Sequence, residues 1–181
     1  DDKVYMRWTQ FGVFSSHMRY HGTNKREPWF YPAIAPMVKK WWKLRYKLLP
    51  YIYEQSKKAT HSGYAVLRAL IFEHPADKMC WHIDDEYYFG DDFLVAPVMN
   101  SEDCRDVYLP EGEWVNFFTG EHFRGGQWLN GVKVPLDEMP VYVREGAVIP
   151  VYPEDVDCTD EMDLDKSVAL KIDEHFRGIW K

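Results

Sequence analysis

The sequence predicts an α+β chain: one strand–loop–helix unit of the kind that builds a (β/α)8 barrel, followed by an antiparallel β-sandwich. Three observations lead there. Phe11–Phe14 is a short, nearly continuous apolar run that breaks abruptly into a polar stretch bearing histidines. Residues 33–61 carry apolar side chains at helical spacing. From Tyr64 onward the chain becomes a series of short apolar runs separated by turn residues.

Phe11–Phe14 lacks the period-two alternation of a strand with one wet face, which predicts a strand covered on both sides, as in parallel sheets and barrels. Polarity changes at Ser15-Ser16-His17, and His17, Arg19 and His21 then follow at alternate positions before Gly22. That is the grammar of a strand's C-terminal end opening into a loop, and in a β/α barrel such loops line the working face. Residues 3–9 read as the tail of a preceding helix, with Trp8 and Phe11 in the core. His17 and His21 stand four apart, the spacing of a helical metal pair. No glutamate follows His17, the flanks read as strand and loop, and no third ligand is evident, so a metal site is disfavoured.

The helix over 33–61 rests on Val38, Trp42, Leu49, Ile52 and Tyr53, with Lys39, Lys43 and Lys47 on a solvated face. Pro36 suits its start, whereas Pro50 falls inside the pattern and predicts a bend near Leu48–Tyr51. Gly63 reads as its left-handed cap. Apolar runs at 65–72, 93–98, 106–109, 114–118, 132–136 and 141–151 then suit a sandwich. Turns are marked by Gly90-Asp91, Pro110-Glu111-Gly112 and Gly125-Gly126. Asp84, Asp85, Glu86, Asp91 and Asp92 cluster too locally for paired reaction carboxylates and read as turn caps on a wet rim. Trp114, Trp128 and Tyr142 read as core. The aspartate-rich stretch 154–165 fails the calcium-loop spacing, which would need its glycine at Asp160 and its glutamate at Lys166. The resulting division is a barrel end over 1–63, a β-sandwich over 64–153, and a tail or the start of a further β element over 154–181.

Bulk properties narrow the function classes. With 46% hydrophobic and 17% aromatic residues, the 181-residue chain is a folded one. A net charge of −7 supplies no basic stripe for nucleic acid. No apolar run approaches the roughly 20 residues of a membrane-spanning helix, so no membrane partner is expected. Cys80, Cys104 and Cys158 are odd in number and widely spaced, which predicts free thiols and a cytoplasmic setting. The text opens at Asp1 in mid-pattern, so the chain is expected to continue something longer.

SSHMRYHG followed by REPWFY resembles the last barrel strand and its loop in glycoside hydrolase family 31, the α-xylosidases and α-glucosidases. LRYKLLPYIY (44–53), FGDDFLVAPV (89–98), YLPEGEWVNFFTGE (108–121) and MPVYVREGAVIPV (139–151) follow in the family's order. The SSH-x-R-x-HG form is more similar to the α-xylosidase branch. The resemblance implies a C-terminal fragment of a retaining α-glycosidase acting on terminal α-linked xylose or glucose. It implies that His21 hydrogen-bonds the sugar where the bond is cut, that Arg19 and Trp29 support it, and that no metal or organic cofactor is needed. The catalytic carboxylates of the family sit in T-D-F-G-E and W-x-G-D motifs, neither of which occurs here. No catalytic residue is therefore assigned in this chain, and the rest of the barrel is its expected partner. A homo-oligomer of the full enzyme is left open. The rival reading is a non-catalytic β-sandwich module that binds carbohydrate or buttresses a partner domain. Saturable binding of xylosides by the isolated chain would distinguish it.

Overall fold

In the computed structural model, which describes residues 1–180, the chain opens on helix α1, Asp2–Val13. Asp1 caps it, its carboxylate accepting from the amides of Lys3 at 2.9 Å and Val4 at 3.4 Å. Met6, Gln10 and Val13 recur at helical spacing and all are buried. Phe11–Phe14 is thus the closing turn of a helix and not the predicted barrel strand. Four apolar residues fit either period, and the turns that precede them decide it. The residues that follow, 17–22, form no helix and pair with no strand among the described residues. Trp8 is also corrected: it is 67% exposed rather than core, because it projects from the side of α1 opposite the buried stripe.

The predicted long helix divides at Leu48 into α2, Ala35–Lys47, and α3, Leu49–Ser62. Pro50 lies in the first turn of α3, where its missing N–H loses nothing. Gly63 closes α3 with φ of 73°. The remaining elements are β1 Leu67–Ala69, the short α4 Leu70–Glu73, β2 Tyr87–Phe89, β3 Phe93–Val95, β4 Cys104–Leu109, β5 Glu113–Asn116, β6 His122–Arg124, β7 Gln127–Lys133, β8 Val141–Arg144, β9 Val148–Val151 and β10 Val168–Lys171. The amide of Tyr152, just past β9, donates to Lys47 O at 2.8 Å and so satisfies a carbonyl at the end of α2.

Six strands form one antiparallel sheet in the order β1-β2-β3-β8-β5-β6, while β4 pairs with β7 and β9 with β10. The central sheet has two buried faces, and strand alternation sorts its residues between them. Phe89, Phe93, Val95, Val115, Val141 and Val143 face the helices and join Phe14, Trp41 and Tyr51 in one core. Tyr88, Leu94, Trp114 and Tyr142 face the other way and pack with Val107 and Leu109 of the β4–β7 ribbon. Trp114 and Tyr142 are core, as predicted, whereas Trp128 is 38% exposed. β2 falls between the clustered acids and ends at the turn expected at Gly90-Asp91, and β10 pairs with β9 from within the stretch read as a tail or the start of a further β element.

Glu86 overturns the wet-rim reading of its cluster. Asp84 and Asp85 are exposed, but Glu86 is fully buried, with Oε1 accepting from Tyr108 N at 2.8 Å and Arg105 Nη2 at 3.3 Å. Its Oε2 has no partner among the described residues. Asp85 and Tyr142 also face it, and burial pushes its carboxyl up to about 7 against the stabilising pull of Arg105. The folded chain then holds a proton that the unfolded chain loses near pH 4.5, so unfolding releases it. Stability from this group should fall by roughly 3 kcal/mol between pH 4.5 and 7 and level off above. Urea denaturation across that range tests this: Glu86→Gln should flatten the decline, and an unchanged slope would refute it.

Candidate functional site

The stretch that carries His17, Arg19 and His21 leaves α1 at Phe14, bends at Ser15-Ser16, and runs to Gly22 without helix or strand, its burial alternating residue by residue. In extended backbone, alternate side chains share a face. His17, Arg19 and His21 are exposed together on one side, and Met18 and Tyr20 turn inward between them. This puts the two histidines on one exposed face with Arg19 between them, without any helix.

The inward residues are held firmly. The Tyr20 hydroxyl lies 2.7 Å from Thr9 Oγ1 and accepts from Trp42 Nε1 at 3.0 Å. Its ring stacks on Tyr5 at 5.1 Å, and Tyr5 stacks on Tyr31 at 4.1 Å. Tyr5 in turn donates its hydroxyl to Arg26 O at 2.5 Å, which ties the far limb of the loop. Burial raises the Tyr20 phenol above its ordinary range, so it stays protonated as a structural link. Ser15 Oγ lies within hydrogen-bond distance of both Gly12 O and His17 O.

The outward residues, together with the half-buried Met18 and Tyr20, line an open cleft of about 620 Å³, a size typical of small-ligand sites. Trp8, Phe11 and Tyr31 supply aromatic walls, while His17, Arg19 and His21 supply donors. Arg19 and His21 make no side-chain hydrogen bond to the described residues, whereas His17 Nδ1 is 3.0 Å from Ser16 Oγ. Aromatic faces beside free donors suit a ring bearing several hydroxyls. Trp29 stands apart: it is 69% exposed on a single 3-10 turn, Pro28–Phe30, and does not line the cleft.

The cleft contains no facing pair of carboxylates. Asp1 alone of its described lining residues carries one, and that group caps α1. No group of three His, Cys, Asp or Glu able to share a metal ion occurs among the described residues. Of the clustered acids on the sheet side, Asp91 pairs with Lys58 at 2.9 Å and Arg68 at 3.3 Å. A neighbouring apolar groove of about 460 Å³ runs between Val4, Trp8 and Phe11 and the segment Pro97–Met99.

Sequence reasoning found the outward face and missed the residues that fix it, Tyr5, Thr9 and Tyr20. The signal was present in the alternation itself, since outward His17, Arg19 and His21 require inward Met18 and Tyr20.

Comparison with known proteins agrees with this architecture. Residues 1–55 match the glycosyl hydrolases family 31 TIM-barrel domain, and residues 63–149 match the glycosyl hydrolase family 31 C-terminal domain. An alpha-xylosidase of Saccharolobus solfataricus is 38% identical over 88% of this chain and 22% of its own length. Alpha-glucosidase 2 of Bacillus thermoamyloliquefaciens is 36% identical over 79% of this chain and 19% of its own. A GH31 dextranase of Flavobacterium johnsoniae complexed with isomaltotriose superposes with a TM-score of 0.79 at 38% identity, covering 86% of this chain and 20% of that one. The chain thus spans about a fifth of the length of these relatives. With one part matched to the barrel domain and the next to the domain that follows it, the chain belongs to glycosyl hydrolase family 31.

Proposed function

We propose that this chain is part of a retaining α-glycosidase, an α-xylosidase in the first instance, that hydrolyses terminal α-linked xylose or glucose. The observation that carries the reading is the display of His17, Arg19 and His21 on one wall of an aromatic-sided cleft. The similar α-xylosidase supports xylose as the sugar.

In this reading His21 donates an N–H to a hydroxyl of the sugar at the subsite where the bond is cut, with Arg19 beside it. Trp29, remote from the cleft wall, supports the loop from its outer limb. A retaining mechanism needs a carboxylate nucleophile and a carboxylic acid about 5–5.5 Å apart, one to trap the oxocarbenium-like centre and the other to protonate the leaving oxygen. We assign both to polypeptide upstream of Asp1. His21 then contributes by holding the ring while positive charge develops at the anomeric carbon, an interaction that grows as the ring flattens.

The test is to assay the full-length protein on aryl α-xyloside and aryl α-glucoside and follow the released sugar by NMR. Release of the α-anomer first, with the xyloside preferred, is the expected result. No hydrolysis of either glycoside would overturn the reading.

A further inference from the structure

Val13, which ends α1, and the three residues after it present a run of carbonyls without helical partners, and they are met by side chains from two other elements. Arg45 of α2 donates through Nη1 to Val13 O at 2.7 Å and to Ser15 O, and through Nη2 to Ser16 O at 3.1 Å. The Tyr87 hydroxyl, from β2, donates to the remaining carbonyl, Phe14 O, at 2.9 Å. Residues 13–16 are therefore gripped at every carbonyl, three by one guanidinium.

This is an unusual use of a charge. Arg45 makes no ion pair among the described residues, although it is desolvated enough that burial lowers its pKa to about 10. Its positive charge faces the negative end of α1, and the planar fork matches carbonyls that diverge from a turn. Tyr87 adds a contact from the sheet and packs its ring edge-on against Phe11 at 5.7 Å. Beyond Ser16 the loop is held at His17, whose carbonyl accepts from Ser15 Oγ, and then at Tyr20 by Thr9 and Trp42, with His21 following directly.

We propose that Arg45 and Tyr87 are positioning residues for His21, setting the direction in which the loop leaves α1 so that the imidazole reaches the sugar. The proposal rests on the sugar-binding reading of His21. It gives the sheet-rich part a stake in the chemistry through a single hydroxyl, and it gives α2 a reason to hold a half-buried cation against carbonyls. Misplacing a binding group by about 1 Å can lower a rate about 100-fold, so modest loosening is enough to be measured.

The experiment is a double-mutant cycle in the full-length protein on its best aryl α-glycoside. Arg45→Lys keeps the charge and loses the fork, while Tyr87→Phe keeps the ring and loses one hydrogen bond. Each should lower kcat/KM about tenfold at 25 °C. Val107→Ala, in the core on the far face of the sheet, serves as a destabilised control and should leave kcat/KM unchanged well below its Tm. In a His21→Ala background, Arg45→Lys and Tyr87→Phe should cause no further loss, because the group they position is gone. Equal losses in the two backgrounds, or no loss in either, would overturn the positioning role while leaving His21 as a sugar ligand. Parental kinetics for His21→Ala alone would instead remove the functional reading on which the role depends. Should Arg45→Lys fail to fold, the Tyr87→Phe arm decides the same question.

Discussion

His21→Ala is expected to lower kcat/KM of the full-length protein on its α-glycoside about 100-fold while moving Tm by no more than about 2 °C. The two halves of this expectation have separate causes. His21 is exposed and makes no side-chain hydrogen bond to the described residues, so the folded state loses little when the ring is removed. Where a sugar hydroxyl takes that N–H in a site from which water is excluded, loss of one donor is worth about 2.7–4 kcal/mol of transition-state stabilisation. The deficit should fall more on kcat than on KM, since the interaction strengthens as the ring distorts. Unchanged steady-state constants would remove His21 from the site.

Trp41→Ala is expected to destabilise the protein by about 3–5 kcal/mol, read as a lower urea midpoint with an unchanged m-value. Trp41 is completely buried where α2 meets the sheet. Its ring meets Phe118 at 5.4 Å, Trp180 at 4.9 Å and Phe14 at 6.4 Å, and Nε1 donates to Asp137 O at 3.2 Å. Alanine would open a cavity between rigid aromatic neighbours that cannot collapse into it, and would strand the Asp137 carbonyl. Trp41→Phe should cost much less, since it restores most of the ring volume and loses only the hydrogen bond. A loss below about 1 kcal/mol for the alanine variant would show that the surrounding rings repack.

What could be read from the sequence was local, and what could not was long-range. Pro50 and Gly63 each act on their own backbone, so the helix break and the cap were both predictable from single residues. The alternation of His17, Arg19 and His21 was likewise visible without coordinates. The Phe11–Phe14 run was not decidable in isolation, because four apolar residues satisfy a strand and a helical turn equally well. It was decided by Met6 and Gln10 upstream. The burial of Glu86 depends on Arg105, 19 residues away, and nothing in the acidic cluster announces that partner. The grip on residues 13–16 is still more remote: Tyr87 lies 73 residues beyond Phe14 and looks in the sequence like one more aromatic.

Because the central sheet carries helices against one face and a ribbon against the other, its strands cannot be treated as a detachable module. A graft that exchanged this segment between relatives at Gly63 would cut through shared aromatic packing, separating Phe14, Trp41 and Tyr51 from Phe89, Phe93 and Phe117. Recombinants made at that seam would inherit mismatched ring shapes on a surface meant to be dry. Splicing should succeed instead where both parents bring the helices and the sheet together as one block.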